Sequence, residues 1–315
     1  MRVVAPGLVS DRTDWAPLAS VLGGLVVAEA GVALVAGAGS GVGWARLLDL
    51  FVVTNAAIGL SLALAGWLIA HYRPRNAVGW TLLAGGCCWA FTASGIAVLA
   101  WAGGPELEGS WWRLLATVTN AAWPWGLTVF LPLAIALFPD GRLPSRRWRP
   151  LLPVLLFGGA WLVATAVLDP LGGLTAEVGV RGYPDTEGLP RPDWVAGVAS
   201  VAVLLGWLGA LAALVQRYRC GSEAVKRQLL WLLLAVVVVF TAFLTGAVLD
   251  LQSLLVGVLP ILLIPAGIVV GVLRHDLLDV RLLVARSLLV LSLTVVVAAG
   301  YLGLTAALQS TLRGP

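Results

Sequence analysis

The chain has 315 residues, of which 60% are hydrophobic and only 11% are charged, and its mean hydropathy is +0.96. A soluble globular domain carries about 25% charged residues, so this composition excludes the soluble classes and predicts a polytopic membrane protein. The net charge of +4 is spread over several short loops. It forms no stripe of basic and aromatic residues, so a nucleic-acid partner is not expected.

The apolar runs of the chain are long enough to cross a bilayer nine times. A transmembrane helix needs about 18 or more largely apolar residues. The runs that meet this length are residues 15–38, 50–71, 78–101, 114–138, 151–168, 194–216, 229–249, 253–273 and 282–308. We therefore predict an all-α, polytopic integral membrane helix bundle of about nine transmembrane helices. It occupies residues 15–308, between an N-terminal segment (1–14) and a C-terminal tail (309–315).

The basic residues indicate which side of the membrane each loop faces. When the nine spans alternate in direction, fifteen of the twenty Lys and Arg residues fall on the side of the N-terminus. Basic loops stay in the cytoplasm, so we predict a multi-pass protein of the plasma membrane with a cytoplasmic N-terminus. The cytoplasmic loops are then residues 72–78, 139–150, 217–228 and 274–281. The longest extracytoplasmic loop is 169–193, with five acidic residues.

The loop after the fourth span has four arginines within residues 142–149. Pro139, Gly141, Pro144 and Pro150 exclude a regular helix through it. Two interpretations of the basic loops stay open: they anchor the protein at the lipid headgroups, or they form a docking face for a cytoplasmic domain. The residues of that predicted face are Arg73, Arg75, Asn76, Asp140, Arg142, Arg146, Arg147, Arg149, Arg227, Arg274, Asp279 and Arg286.

The order of these loops resembles the membrane-embedded N-terminal region of a family of actinobacterial two-component sensor histidine kinases. That family has an Arg-Pro-x-Asn-x-x-Gly-Trp loop, present here at residues 73–80, and a Phe-Pro-Asp-Gly-Arg-Leu-Pro-Ser-x-x-Trp-Arg loop, present at 138–149. An Arg-Gln-x-x-Trp segment follows at 227–231. A Leu-Arg-His-x-Leu-x-Asp-Val linker and an Arg-Ser-Leu segment stand at 273–280 and 286–288. The resemblance covers roughly residues 70–308.

The resemblance implies a signal-sensing module of the membrane. Members of the family continue into a dimerisation helix with a phosphorylated histidine and an ATP-binding domain, and neither pattern occurs in these 315 residues. The partners that it implies, besides the lipid bilayer, are a cytoplasmic kinase domain or response-regulator system and a second copy of the chain as a homodimer. Kinase activity is expected only if a catalytic domain outside this sequence belongs to the protein.

A few polar residues lie inside the predicted spans. Glu29 is a carboxylate within the first span, where a charged group costs a few kcal/mol and is expected to be protonated, paired or turned to a cavity. Asn55, Asn120, Trp123 and Trp125 complete a candidate pocket for a small or lipidic ligand between the first, second and fourth spans. Hydrogen bonds that only fix helix packing are the alternative. Pro124 and Pro132 are expected to kink the fourth span.

The sequence shows no pattern typical of an enzyme or a metal protein. The three cysteines lack the spacing of a zinc site or of a disulfide framework. No nucleotide-binding glycine loop and no paired catalytic residues occur, so we expect no catalytic residues, metal or cofactor. A small-solute transporter or permease is the alternative to the sensing module, and a membrane enzyme ranks third.

Overall fold

The structure, a computed structural model, describes residues 15–107, 109–168, 173–184, 193–248 and 259–273. Within these ranges every regular element is a helix. The N-terminal segment, the ninth predicted span, the tail and the predicted face residues Arg274, Asp279 and Arg286 lie outside them. The α-helices of these ranges are α1 (Ala16–Gly39), α2 (Trp44–Asp49), α3 (Val52–Tyr72), α4 (Ala77–Trp101), α5 (Ser110–Trp125), α6 (Leu131–Leu137), α7 (Leu151–Val167), α8 (Gly173–Ala176), α9 (Asp193–Cys220), α10 (Glu223–Val248) and α11 (Leu259–Leu273).

Six helical segments of the described residues are long and apolar enough to cross a membrane. They are Ala16–Gly39, Val52–Tyr72, Ala77–Trp101, Ser110–Leu137, Arg146–Val167 and Gly197–Cys220. They coincide with the first six predicted spans, so the helical membrane bundle is supported. The seventh and eighth predicted spans overlap α10 and α11. The total of nine stays a prediction.

The centre of the bundle is the pair α3 and α4, which approach each other through small residues. A Cβ added at Gly66 would lie 2.5 Å from the backbone nitrogen of Leu83 and 2.6 Å from the carbonyl oxygen of Gly79. Glycine is therefore required there, because any side chain would force the two backbones apart. Lipid tails are as apolar as leucine, so van der Waals contact at this distance, and not exclusion of water, holds such helices together.

The fourth predicted span is one continuous helical segment, Ser110–Leu137, and the kink expected at Pro124 and Pro132 stays a prediction. A π-helical turn at Gly126–Phe130 joins α5 to α6. Proline removes a backbone hydrogen bond, and an extra residue in one turn is one way for a helix to accommodate this. The Thr128 hydroxyl donates to the carbonyl oxygen of Pro124 at 2.6 Å, so a side chain of the same helix satisfies this carbonyl.

Two of the predicted boundaries differ from the structure at the third basic loop. The sixth span extends through Cys220, and α10 begins at Glu223, so only residues 221 and 222 connect the two helices. Most of the predicted loop 217–228 is therefore helical. The physical reason is that the segment before Gly221 contains no proline or glycine, and arginine and glutamine are good helix formers.

The outer helices keep large apolar side chains on the surface. Val35 of α1, Phe157 of α7 and Leu204 of α9 are each more than half exposed. Such side chains suit contact with lipid tails, which are as apolar as the side chains themselves. The largest interior cluster instead joins α3, α4, α6, α7, α9, α10 and α11 around Phe138, which is fully buried.

Candidate functional site

The basic loops that are far apart in the sequence meet at one end of the bundle. We call this group of residues 73–80, 138–149 and 216–231 the basic-loop cluster. Its first contact is made by Asn76, whose side-chain oxygen accepts from the Val78 backbone N–H at 3.0 Å and so caps α4. Its amide nitrogen donates to the carbonyl oxygen of Pro139 at 2.9 Å. One buried asparagine thus joins the first basic loop to the second.

Gly141 allows the second loop to lie directly on this cap. Its φ of 76° lies in the left-handed region, which glycine adopts without strain. A Cβ at this position would lie 2.6 Å from Asn76 Oδ1 and 2.6 Å from the backbone nitrogen of Ala77. The glycine of the Phe-Pro-Asp-Gly motif is therefore required both by its backbone conformation and by the closeness of α4.

The second loop also contacts the end of α9 through an ion pair. Asp140 Oδ1 lies 2.8 Å from Arg217 Nη1 and accepts from the Arg142 backbone N–H at 3.2 Å. The pair is asymmetric, because 9% of the Arg217 side chain is exposed against 58% of Asp140. A buried guanidinium is costly unless it is paired. Among the described residues, Asp140 is the one carboxylate that pairs with the Arg217 guanidinium.

Two tryptophans fix the cluster at its edges. The indole N–H of Trp148 donates to Gln216 Oε1, next to Arg217 in the last turns of α9. The indole N–H of Trp80 donates to the carbonyl oxygen of Pro74 at 2.8 Å. Tryptophan is enriched at the level of the lipid headgroups, so these contacts are consistent with a cluster at one membrane surface.

Helix α11 reaches the same end of the bundle. A Cβ added at Gly271 would lie 2.5 Å from Phe138 Cζ and 3.0 Å from the carbonyl oxygen of Gln228. Phe138 and the start of α10 therefore both pack against Gly271 of α11. The second loop accordingly contacts the beginning of α4 and the ends of α9 and α11.

The predicted docking arginines in the described part of this face are exposed. They are Arg73, Arg75, Arg142, Arg146, Arg147, Arg149 and Arg227. Arg217, Ser145, Trp148 and Gln216 were missing from the predicted set. A signal for Arg217 was present in the sequence: Ala210, Ala213 and Leu214 are buried, and Arg217 continues that spacing on the same face of α9.

The predicted intramembrane polar residues fall in different surroundings. Asn120 is buried and bonds Thr175 of α8 twice: its amide nitrogen donates to the hydroxyl at 3.0 Å, and its oxygen accepts from the backbone N–H at 3.3 Å. Asn55 is buried near the start of α3. Glu29 Oε2 on α1 is buried without a hydrogen-bond partner among the described residues.

The two predicted tryptophans are half-buried near the π-helical turn. A Cβ added at Gly159 would lie 3.2 Å from Trp125 Cε3, so Trp125 packs against α7. Asn120, about one turn before Trp123 in α5, instead joins α8 to the bundle. The pocket predicted between the first, second and fourth spans stays a prediction.

A separate groove of about 480 Å³ lies between α1 and α3. Gly23, Gly24, Leu64 and Trp67 are among the residues that line it, and the Trp67 indole donates to the Ser20 hydroxyl at 3.3 Å. Its walls are almost entirely apolar, and it opens towards the surface that would face lipid, so its chemistry suits an acyl chain.

No group of three or more His, Cys, Asp or Glu side chains that could hold a metal occurs in the part of the chain that the structure describes. The chain matches no protein-family model, no curated protein and no solved structure.

Proposed function

We propose that the chain is a membrane-embedded signal-sensing module whose output face is the basic-loop cluster. The observation that carries the proposal is that three loop segments with the spacing of the sensor histidine kinase family contact one another. Asn76 bonds Pro139, Asp140 bonds Arg217, and Trp148 bonds Gln216. Residues that matter only for topology have no need to touch across separate loops.

The mechanism that we propose begins at α9. This helix has Leu204, Leu205 and Leu208 exposed on the surface that would face lipid, and its last two turns place Gln216 and Arg217 inside the cluster. A helix adapts to a change in bilayer thickness by tilting. A tilt of α9 would displace Arg217 from Asp140 and so move the second loop. Such a response is a shift between two helix arrangements that the bilayer stabilises differently.

The same proposal assigns the basic-loop cluster to the cytoplasmic side of the plasma membrane. Its exposed arginines obey the positive-inside tendency and would attract anionic lipid headgroups. A kinase domain or response-regulator system, in a homodimeric assembly, is the partner that this face would serve. The surface charge of such a partner is expected to be acidic where it meets the loop arginines.

The native cysteine Cys220 offers a direct test. It is exposed at the last residue of α9, and replacing Cys87 and Cys88 by alanine leaves it as the single thiol of the chain. We would attach an environment-sensitive fluorophore to Cys220 and reconstitute the protein in vesicles of short-chain and long-chain phosphatidylcholine. The expected result is a shift of emission between the two bilayers that is lost in Asp140→Ala. An emission independent of the bilayer contradicts the proposal.

The transporter alternative is tested in the same vesicles. Swelling in an osmotic gradient of a small neutral solute or amino acid reports whether the protein carries that solute across the bilayer. A sensing module is expected to leave the swelling rate equal to that of protein-free vesicles. Protein-dependent swelling, together with an unresponsive Cys220, would replace the sensing proposal by the transporter.

A further inference from the structure

One edge of a buried arginine in the basic-loop cluster is left without an acceptor by the described residues. Arg217 is 9% exposed, and its Nη1 is bonded to Asp140 at 2.8 Å. Its Nε and Nη2 are both buried, and neither has a hydrogen-bond partner among the residues that the structure describes. Leaving a buried donor of a charged group unpaired is more costly than leaving a neutral one, so this edge calls for an acceptor.

The geometry of the guanidinium group defines which acceptor fits. Nε–H and Nη2–H lie parallel on one side of the planar group and form a fork, while Nη1 points elsewhere. Such a fork matches two oxygens of a single oxyanion, and arginine is used where a carboxylate or phosphate is held by two parallel bonds. Because Asp140 takes only Nη1, the fork remains directed at a second group.

A second buried donor belongs to the same loop. The hydroxyl of Ser145 is buried and has no hydrogen-bond partner within the described part of the chain. Ser145 stands in sequence between Asp140, which bonds Arg217, and Trp148, which bonds the neighbouring Gln216. The loop is therefore attached to α9 on both sides of this serine.

The electrostatic setting favours an anion with more than one charge-bearing oxygen. Arg142, Arg146, Arg147 and Arg149 belong to the same loop and are exposed. None of the four has a carboxylate partner among the described residues. Asp140, already paired, is the one acidic residue of the loop.

We propose that the Arg217 fork binds a phosphate group, with the Ser145 hydroxyl donating a third hydrogen bond and the loop arginines supplying an attractive field. The phosphate belongs either to a lipid headgroup or to free phosphate in solution. Trp80 and Trp148, which flank the cluster, are residues typical of headgroup depth. This site depends on the geometry of Arg217 and not on the proposed sensing role, so either can fail without the other.

The experiment uses the 315-residue protein in neutral detergent at constant ionic strength. In one arm, inorganic phosphate is titrated and its dissociation constant is obtained from the rise of the thermal unfolding midpoint. In the other arm, native mass spectrometry measures retention of phosphatidylglycerol against a neutral glycolipid with the same acyl chains. A midpoint that rises with phosphate indicates the free ion, and selective retention of phosphatidylglycerol indicates the headgroup.

The variants separate the fork from simple charge. Arg217→Lys keeps the cation near Asp140 but lacks the Nε–Nη2 fork, and it is expected to weaken binding about tenfold or more, equal to the loss of one charge-assisted hydrogen bond. Ser145→Ala is expected to weaken it about three- to tenfold. The matched control is Arg219→Lys, an exposed arginine on the same turn, which should bind like the unaltered protein.

Three outcomes overturn the proposal. Equal binding by the unaltered protein and Arg217→Lys would show that the fork is not used. A loss in Arg219→Lys as large as in Arg217→Lys would show that binding does not depend on the buried Arg217 fork in particular. No response to either probe would mean that the fork is satisfied within the chain itself. Should Arg217→Lys fail to fold, Ser145→Ala carries the test, and unchanged binding by that variant contradicts the site.

Discussion

The two ends of the bundle are held together by different chemistry. At the basic-loop cluster, the arginine of the Asp140–Arg217 pair is 9% exposed. At the other end, which we call the acidic-loop end (residues 40–51, 102–120 and 173–184), the Arg46–Glu177 pair lies in water, with 48% and 61% of the two side chains exposed. A buried bond at that end is the neutral one between Asn120 and Thr175.

Because of this difference, the two ends are expected to respond differently to a movement of the helices. A buried guanidinium is sensitive to any movement of its carboxylate, because no second carboxylate among the described residues pairs with Arg217 to replace the lost contact. An exposed ion pair is replaced by water at little cost, and a neutral amide–hydroxyl bond does not respond to salt. The contacts of the acidic-loop end are thus suited to holding its loops in one arrangement. Those of the basic-loop cluster are suited to a change between two arrangements of the loops.

The largest expected effect comes from a pair of glycines, one at each end. Gly141→Ala and Gly41→Ala both place a side chain at positive φ, 76° and 73°, which costs about 1–2 kcal/mol. Only Gly141 would also bring its Cβ within 2.6 Å of Asn76 Oδ1, whereas Gly41 has nothing within 4 Å. We expect Gly141→Ala to lose a further ~1–3 kcal/mol. The free energy of unfolding in mixed detergent micelles measures both, and equal losses would contradict the contact.

The second prediction concerns the asymmetry of the buried pair. Asp140→Ala leaves a buried cation without its carboxylate and is expected to cost about 2–3 kcal/mol. Arg217→Met leaves Asp140 to water, since that side chain is more than half exposed, and is expected to cost less than ~1 kcal/mol. Unfolding in phosphate-free buffer compares the two variants. A larger loss in Arg217→Met would refute the asymmetry.

A third prediction addresses the neutral bond of the acidic-loop end. Asn120→Ala removes the acceptor and the donor that Thr175 uses, and Thr175 is fully buried, so we expect a loss of about 1–3 kcal/mol. The loss should be the same at low and high salt. Combining it with Thr175→Val should cost less than the sum of the two single changes, because the two residues share their bonds. Strict additivity would show that they do not.

The smallest effect is expected for the exposed pair. Arg46→Ala should lower the free energy of unfolding by about 0–1 kcal/mol at low salt, and the difference should vanish in molar salt, where the screening length falls to about 3 Å. A loss that persists in high salt would mean that the hydrogen bond from Arg46 to the Glu177 carbonyl oxygen, and not the ion pair, holds this contact.

The sequence predicted the parts of the fold that depend on local composition. Runs such as residues 78–101 are apolar over the full thickness of a bilayer, so their existence as helices follows from length and hydropathy. The turn at Pro139 and Gly141 followed from the backbone limits of those residues. The π-helical turn after Pro124 was not predictable, because a proline in a membrane helix can be accommodated in several ways.

The candidate site was predictable only as a set of loops. Asn76 and Asp140 were recognised by their motifs, but which loop touches which depends on how the helices pack. Arg217 was counted as a loop residue because its charge outweighed the apolar spacing that continues into it from Ala210. Ser145 and Gln216 are ordinary polar residues in the sequence and become notable only through their contacts.

The central claim is that the three basic loops form one cooperative unit. The most direct test is a double-mutant cycle between Asn76→Ala and Arg217→Met, which contact the second loop at Pro139 and Asp140 and hold it from opposite sides. We predict that the two losses of unfolding free energy are not additive, with an interaction of about 0.5 kcal/mol or more. Losses that add within experimental error would show that the two contacts are independent, and the claim of one unit would be wrong.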